Sequence, residues 1–250
     1  MFKRQGTIIL MLVLIGLLSF VFSSRALADL TNFYPASDEI PGTKLILNPE
    51  PGVVLNDADL ELKLLTAQDV LTQRLAQLNV PQPYRVLLHN DELTVILPDN
   101  ENISYVISVL AHVGEVKFID GGAAVPPLGQ RVKTGLITGE QEKVYRTLFA
   151  GPEIEKILPP DLANGQIFYQ VTLNSDAAQR LTNFIETQPN HYICIAVDQE
   201  VISCSAMYHW AESTLQIIPN LSSGSLVGLA DLPLFLESGP LPMSLEVQQR

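Results

Sequence analysis

Cysteine is nearly absent: two residues in 250, with four histidines and one tryptophan. That scarcity excludes most metal and redox chemistry, because a structural zinc site needs about four convergent thiolate or imidazole ligands. Both cysteines, two of the histidines and the tryptophan fall in one stretch, HYICIAVDQEVISCSAMYHW, His191 to Trp210. In a paired hairpin His191 and His209 lie at the outer ends and Cys194 and Cys204 further in, so one tetrahedral ion does not reach all four. Positive charge is also scarce. Fifteen Lys and Arg stand against 27 Asp and Glu, for a net charge of −12 and a pI near 4.7. An acidic surface repels phosphate backbones and anionic lipid, which argues against nucleic acid as a partner.

Catalytic motifs are missing as well. There is no G-x-S-x-G; the nearest run, Ser222-Ser223-Gly224-Ser225, is poor in glycine and resembles a helix cap. No glycine-rich phosphate loop occurs. No carboxylate sits in an apolar run with a second beside it, as paired acid–base work requires. His89 and His112 fall at the ends of a strand and a helix. The expectation is a non-enzymatic protein with no catalytic, cofactor-binding or metal-binding residue.

What is present begins at the N-terminus. Lys3 and Arg4 precede an uncharged run, Thr7 to Phe22, and Ala26 and Ala28 form an A-x-A pattern before Asp29. This is the pattern of a secretory signal peptide over residues 1–28, cut after Ala28. The alternative is an uncleaved membrane anchor, although the run is shorter than the ~20 residues that usually span. Either way the rest is expected outside the cytoplasm, exported to the extracytoplasmic face of the membrane. Apolar residues make up 47% of the chain, enough for a core without staples.

Residues 29–57 are rich in Pro, Gly and Asn and predict a linker, with one short strand at Lys44–Leu47. Alternating Leu60, Leu62 and Leu64 predict a strand. A helix follows, opened by Thr66 and Asp69 as a capping pair, with Leu71, Leu75 and Leu78 on one face and Val70 and Arg74 at its edge. Strands at Arg85–His89 and Leu93–Leu97 flank an Asn90-Asp91-Glu92 turn. A second helix carries Ile103, Val106, Ile107 and Leu110, closed by Gly114. A strand at Glu115–Ile119 completes a βαββαβ, ferredoxin-like order. Beyond a linker at 121–135, the spacing predicts a short helix over 140–149 and a loop over 152–165. It then predicts a strand at 166–173 and a helix capped by Asn174 or Ser175, with Ala177, Leu181, Phe184 and Ile185 inward. Strands at 192–197, 201–207 and 214–218 follow, then a helix over 225–237 containing Pro233, and a last strand at 243–247. The fold class is α+β: a ferredoxin-like base at 58–133 with a returning strand at 240–250, an inserted α+β head at 134–239, and antiparallel sheets. The register of the 192–207 hairpin is open. A three-residue loop sets Cys194 opposite Cys204 and permits a disulfide, whereas a two-residue loop offsets them. The other option is two buried thiols.

Several segments resemble SecD, a membrane subunit of the Sec protein-export machinery. IAVDQEVISCSAMY is similar to the family hairpin V-L-D-G-E-V-I-S-x-P through Asp198, Val201, Ile202 and Ser203. Ser225 to Val247 resembles a capped helix running into L-x-L-x-L-L-x-x-G-x-L-P-x-P-L-x-V, matching Leu232, Leu234, Leu236, Gly239, Leu241 and Pro242. TQRLAQLNVPQPYRVLLHNDELTVILPD and Leu136 to Gly139, LITG, resemble earlier family segments. The likeness covers about Leu60 to the C-terminus. It implies the extracytoplasmic P1 region: a ferredoxin-like base, an inserted head, and a final strand returning to the base sheet. It further implies contact with unfolded or emerging polypeptide and with Sec translocon components, and membrane contact through the N-terminal segment if that is uncleaved. Leu226, Leu229, Leu232 and Leu236 are candidate polypeptide contacts, together with the sheet edges. Three departures stand out. Gln199 replaces the turn glycine, Cys204 and Ser205 stand where the family has proline, and Pro233 interrupts a helix. The intramembrane Asp and Arg that couple SecD to protons have no counterpart, so the expected role is a binding module. A structural protein–protein module that kept the fold and lost the Sec role is the alternative.

Overall fold

The computed structural model describes residues 42–51, 56–89, 91–99, 102–135, 144–163, 166–206, 208–211, 213–217, 220–221 and 228–249. The signal segment, most of the 29–57 linker, Leu136 to Gly139, Ser222 to Ser225 and Leu226 lie outside them.

The base starts with β1 (Thr43–Pro49) and α1 (Asp57–Gln77). The strand expected at Leu60–Leu64 is helix. Asn56 accepts the Asp59 amide at 2.9 Å and caps α1 ten residues earlier than Thr66–Asp69 suggested. Thr66 is mid-helix and its hydroxyl donates to the Leu62 carbonyl. Leu64, Ala67, Leu71 and Leu75 are buried at helical spacing, whereas Leu62 is 65% exposed, so the Leu60–Leu62–Leu64 alternation is incidental. Next come β2 (Arg85–His89), β3 (Glu92–Leu97) and α2 (Ile103–Ala111). Glu92 pairs with His89, so it belongs to the strand and the connection is the two residues 90–91.

β4 (Val116–Gly122) does not complete the base sheet. That sheet runs β14–β1–β3–β2, its fourth place filled by β14 (Leu245–Gln249) from the far end of the chain. β4 is a central strand of the head, between β9 (Tyr192–Val197) and β6 (Val144–Ala150). Both its faces are apolar: Phe118 enters the main head core and Ile119 a smaller third core. A strand that is apolar on both faces fits between the two head cores, and the base sheet takes β14 instead.

The second sheet, β13–β10–β9–β4–β6–β5, adds β5 (Lys133–Gly135), β10 (Glu200–Ser205) and β13 (Asn220–Leu221). All its pairings are antiparallel except β5 with β6. The helix expected over 140–149 is strand β6 where described. Leu148 is an extra residue in its pairing with β4, so Leu148 and Phe149 enter one core and Tyr145 the other. The third sheet runs β11–β12–β8–β7, from β7 (Ile154–Ala163), β8 (Gln166–Leu173), β11 (Tyr208–Ala211) and β12 (Thr214–Ile217). The loop expected at 152–165 is largely β7. As an edge strand it tolerates Pro159 and Pro160 at a register shift between Leu158 and Asp161. α3 (Ser175–Thr187) is capped by Asn174, which accepts the Ala177 amide at 2.9 Å.

The last helix, α4, spans only Leu232–Ser238, after a 3-10 turn at Leu229–Asp231. Pro233 therefore falls in the first turn, where its missing N–H costs nothing. The expected interior proline does not arise.

Candidate functional site: the neck between base and head

The described chain passes from base to head through 112–115 and returns through 239–244. Side chains from three elements meet there. Arg74 of α1 is fully buried. Its Nη1 donates to the carbonyls of His112 at 2.5 Å and Val109 at 3.3 Å, and Nη2 to Val113 at 2.7 Å and Gly239 at 3.1 Å. Nε donates to Ser238 Oγ at 3.3 Å. The carbonyl acceptors lie in the last turn of α2 and just beyond the ends of α2 and α4, where a cation also meets the negative ends of both helix dipoles. Phe235 lies under the guanidinium at 4.9 Å. Burial pulls Arg74 down to about 10, opposed by the charge of Asp198.

Asp198 approaches from the head. It occupies the β9–β10 turn, and its carboxylate accepts the Gly114 and Glu115 amides, both at 2.9 Å, and pairs with His112 Nδ1 at 2.8 Å. Burial would raise its pKa, but these bonds outweigh burial and hold it below the ordinary carboxylate value. The sign follows by linkage. The ionised form is favoured in the fold, so the stabilisation is whole above the unfolded pKa, about 3.9, and is lost as pH falls through the lower folded value. Asp198→Asn keeps an acceptor but loses the charge. It is expected to cost about 1–2 kcal/mol at neutral pH and to flatten the acid dependence of stability below about pH 4, as urea titrations between pH 2 and 7 would read.

The same turn sets the cysteine register. Glu200 pairs with Val197, so the loop has two residues, and Asp198 and Gln199 take φ of 50° and 69°. Both positions are left-handed, as a type I′ turn requires, and Gln199 adopts what glycine would adopt freely. A two-residue loop should offset the cysteines. The pairing shifts between Val201 and Ser203, making Ile202 an extra residue, and Cys204 comes opposite Cys194. The two are bonded, with Cα atoms 4.0 Å apart. Gly121 lies against them, where a Cβ would meet Cys194 Sγ at 2.5 Å.

The strand expected at 201–207 ends at Ser205. His209 belongs to β11, in a different sheet from the hairpin, so it and His191 are not its two ends. His191 pairs with Asp120 at 2.8 Å. Among the described residues no cluster of three metal-ligating side chains occurs.

Of the other motif residues, Val201, Ile202 and Ser203 are buried in β10. Gly239 ends α4 with φ 74°. Leu241 enters the base core, its amide donating to Val113 at 2.8 Å, and Pro242 is half-buried beside it. Leu232 is corrected: at 1% exposure it is core, so it is closed to a polypeptide. Leu236 is half-buried and lines a groove of about 230 Å³ with Glu115, Pro152, Ile154, Phe235 and Pro240. The sequence marks Arg74 only as a helix-edge residue and His112 only as a helix end, and it does not mark Phe235. The available signal was an arginine one residue from Leu75 on an apolar helix face.

A ferredoxin-like base whose sheet is completed by a strand returning from an inserted α+β head is a SecD-like fold. Among solved structures, this chain is similar to one of SecDF, a membrane component that enhances protein export. The identity is 19%, over 82% of this chain and 97% of the other, with a TM-score of 0.54. It is also similar to SecDF in its super-membrane-facing form, at 17% identity and a TM-score of 0.57, over 92% of this chain and 34% of the other. No family model matches the sequence, and no curated protein matches it.

Proposed function

We propose that this chain is a non-enzymatic, extracytoplasmic module that assists protein translocation by contacting unfolded or emerging polypeptide beside the Sec translocon. The SecD-like fold over most of the chain carries this reading. The neck groove supplies a contact surface, in place of Leu232. Its walls are largely proline, glycine and apolar side chains, and its volume suits one or two apolar side chains of an extended segment. A buried disulfide fits an oxidising compartment. Membrane attachment rests with Thr7 to Phe22; among the described residues no helix is long and apolar enough to cross a membrane.

Leu236→Asp places a charge in the groove without opening a core cavity. It is expected to weaken binding of a fluorescent unfolded peptide about tenfold, with little loss of stability. A photo-crosslinker at position 236 should capture a stalled secretory chain or a translocon subunit. Peptide binding unchanged by Leu236→Asp, or a single folded partner captured instead, would favour a structural module.

A further inference from the structure

We infer that the neck groove selects an extended segment in which an apolar side chain stands next to a lysine or arginine. This rests on the groove being a polypeptide contact, as proposed above. A strand added to a sheet edge is held by main-chain hydrogen bonds, largely whatever its sequence. The groove has few amides to offer for that. Those of Gly114 and Glu115 go to Asp198, that of Ile154 goes to the Gly151 carbonyl, and Pro152 and Pro240 have none. Phe235 and Leu236 lie within α4, whose turns use their amides. Selection therefore falls on side chains.

The apolar walls take one of them, and the charge beside those walls is negative. Glu115 lines the groove with its side chain 45% exposed, and Glu237 follows Leu236 at an exposed position of α4. The cations close by are matched: Lys117 is paired with Glu115 at 2.8 Å and Arg180 with Glu153. Glu237 accepts from a neutral group, the Gln77 side-chain amide, at 3.0 Å, so its charge is not cancelled there. The whole chain carries −12. A cation on the ligand meets Glu237 and the second carboxylate oxygen of Glu115, whereas a ligand carboxylate meets like charge. Exposed ion pairs are weak one by one, so the apolar side chain holds the segment and the charge beside it ranks one segment above another.

The test titrates the full chain at low salt with fluorescent peptides that share a central leucine and differ only in its two neighbours: lysine, glutamine or glutamate. The lysine peptide should bind about fivefold more tightly than the glutamine peptide, and the glutamate peptide more weakly than either. In about 0.3 M salt the lysine preference should fall below about twofold. Glu115→Gln combined with Glu237→Gln should reduce it likewise. Glu237→Gln alone should remove part of it, and carries the comparison if the double variant does not fold. Serine in place of the central leucine should weaken the lysine peptide about tenfold. Equal affinities for the three peptides would overturn this inference and leave the polypeptide contact standing. A lysine preference unchanged in the folded variants, or a serine peptide that binds as well as its leucine parent, would assign the attraction to the acidic surface at large and overturn it too. Binding of none of the peptides would remove the polypeptide contact itself, and this inference with it.

Discussion

Arg74→Met should lower stability by about 3–5 kcal/mol, the range for removing one member of a buried charged network. Two effects oppose each other. Burying the guanidinium is costly, as its fall from the ordinary arginine value to about 10 shows, and methionine would recover that cost. Against this stand the bonds to four carbonyls and the Ser238 hydroxyl. A hydrogen bond to a charged group contributes about 1.5–3 kcal/mol, and a buried acceptor left without a donor costs about 1–3. These terms are not additive, but several of them outweigh one desolvation term. Arg74→Lys keeps the charge with three donors on a single nitrogen, which cannot span both crossings, so about half the loss is expected. Urea unfolding followed by Trp210 fluorescence and by circular dichroism reads both variants. Trp210 lies in β11 of the head, so a transition seen by only one probe would show that base and head had come apart. A loss below about 1 kcal/mol for Arg74→Met would mean the carbonyls find other donors.

Gly114→Ala should cost about 3 kcal/mol or more, from two separable sources. Its φ of 81° is a conformation that side chains adopt at about 1–2 kcal/mol. The rest is steric, since the new methyl would lie 2.4 Å from Arg74 Nη2 and 2.6 Å from a Phe235 carbon. Neither can retreat: the guanidinium is tied and the ring is core. Gly122→Ala is the control, with φ of 79° and nothing within 4 Å of the added carbon. It carries the backbone cost alone. Equal thermal shifts in the two variants would show that the neck yields and that packing at Gly114 is loose.

Local pattern was enough where an element buries one face. α2 and α3 were visible from their apolar spacing, and the β9–β10 hairpin from two β-rich runs around a polar turn. It failed where both faces are buried or the spacing is ambiguous. β6 lies between two cores, so Tyr145, Leu148 and Phe149 imitate a helical stripe. β7 carries two prolines that a sheet edge accepts. The first turns of α1 imitate a strand, and only the Asn56 cap separates the two readings. The candidate site was less visible still. Asp198, Gly239 and Leu241 stood out as motif residues, but their convergence depends on Arg74, some 120 residues or more away along the chain. A buried arginine that bonds to carbonyls leaves no partner carboxylate in the sequence to betray it.

The returning strand has a consequence for the order in which the molecule is made. Leu45 of β1 faces Gln249 of β14, so the base sheet closes a loop that contains the whole head. Closing a loop costs chain entropy that grows only slowly with its length, and a finished head shortens the effective span. On a chain that emerges N-terminus first, the base remains one strand short until the head has been delivered. During that interval β1 has a bare edge, a template for any extended segment nearby. The head is thus the natural nucleus, the base the last part to become stable, and a copy arrested before β14 the form most prone to aggregate.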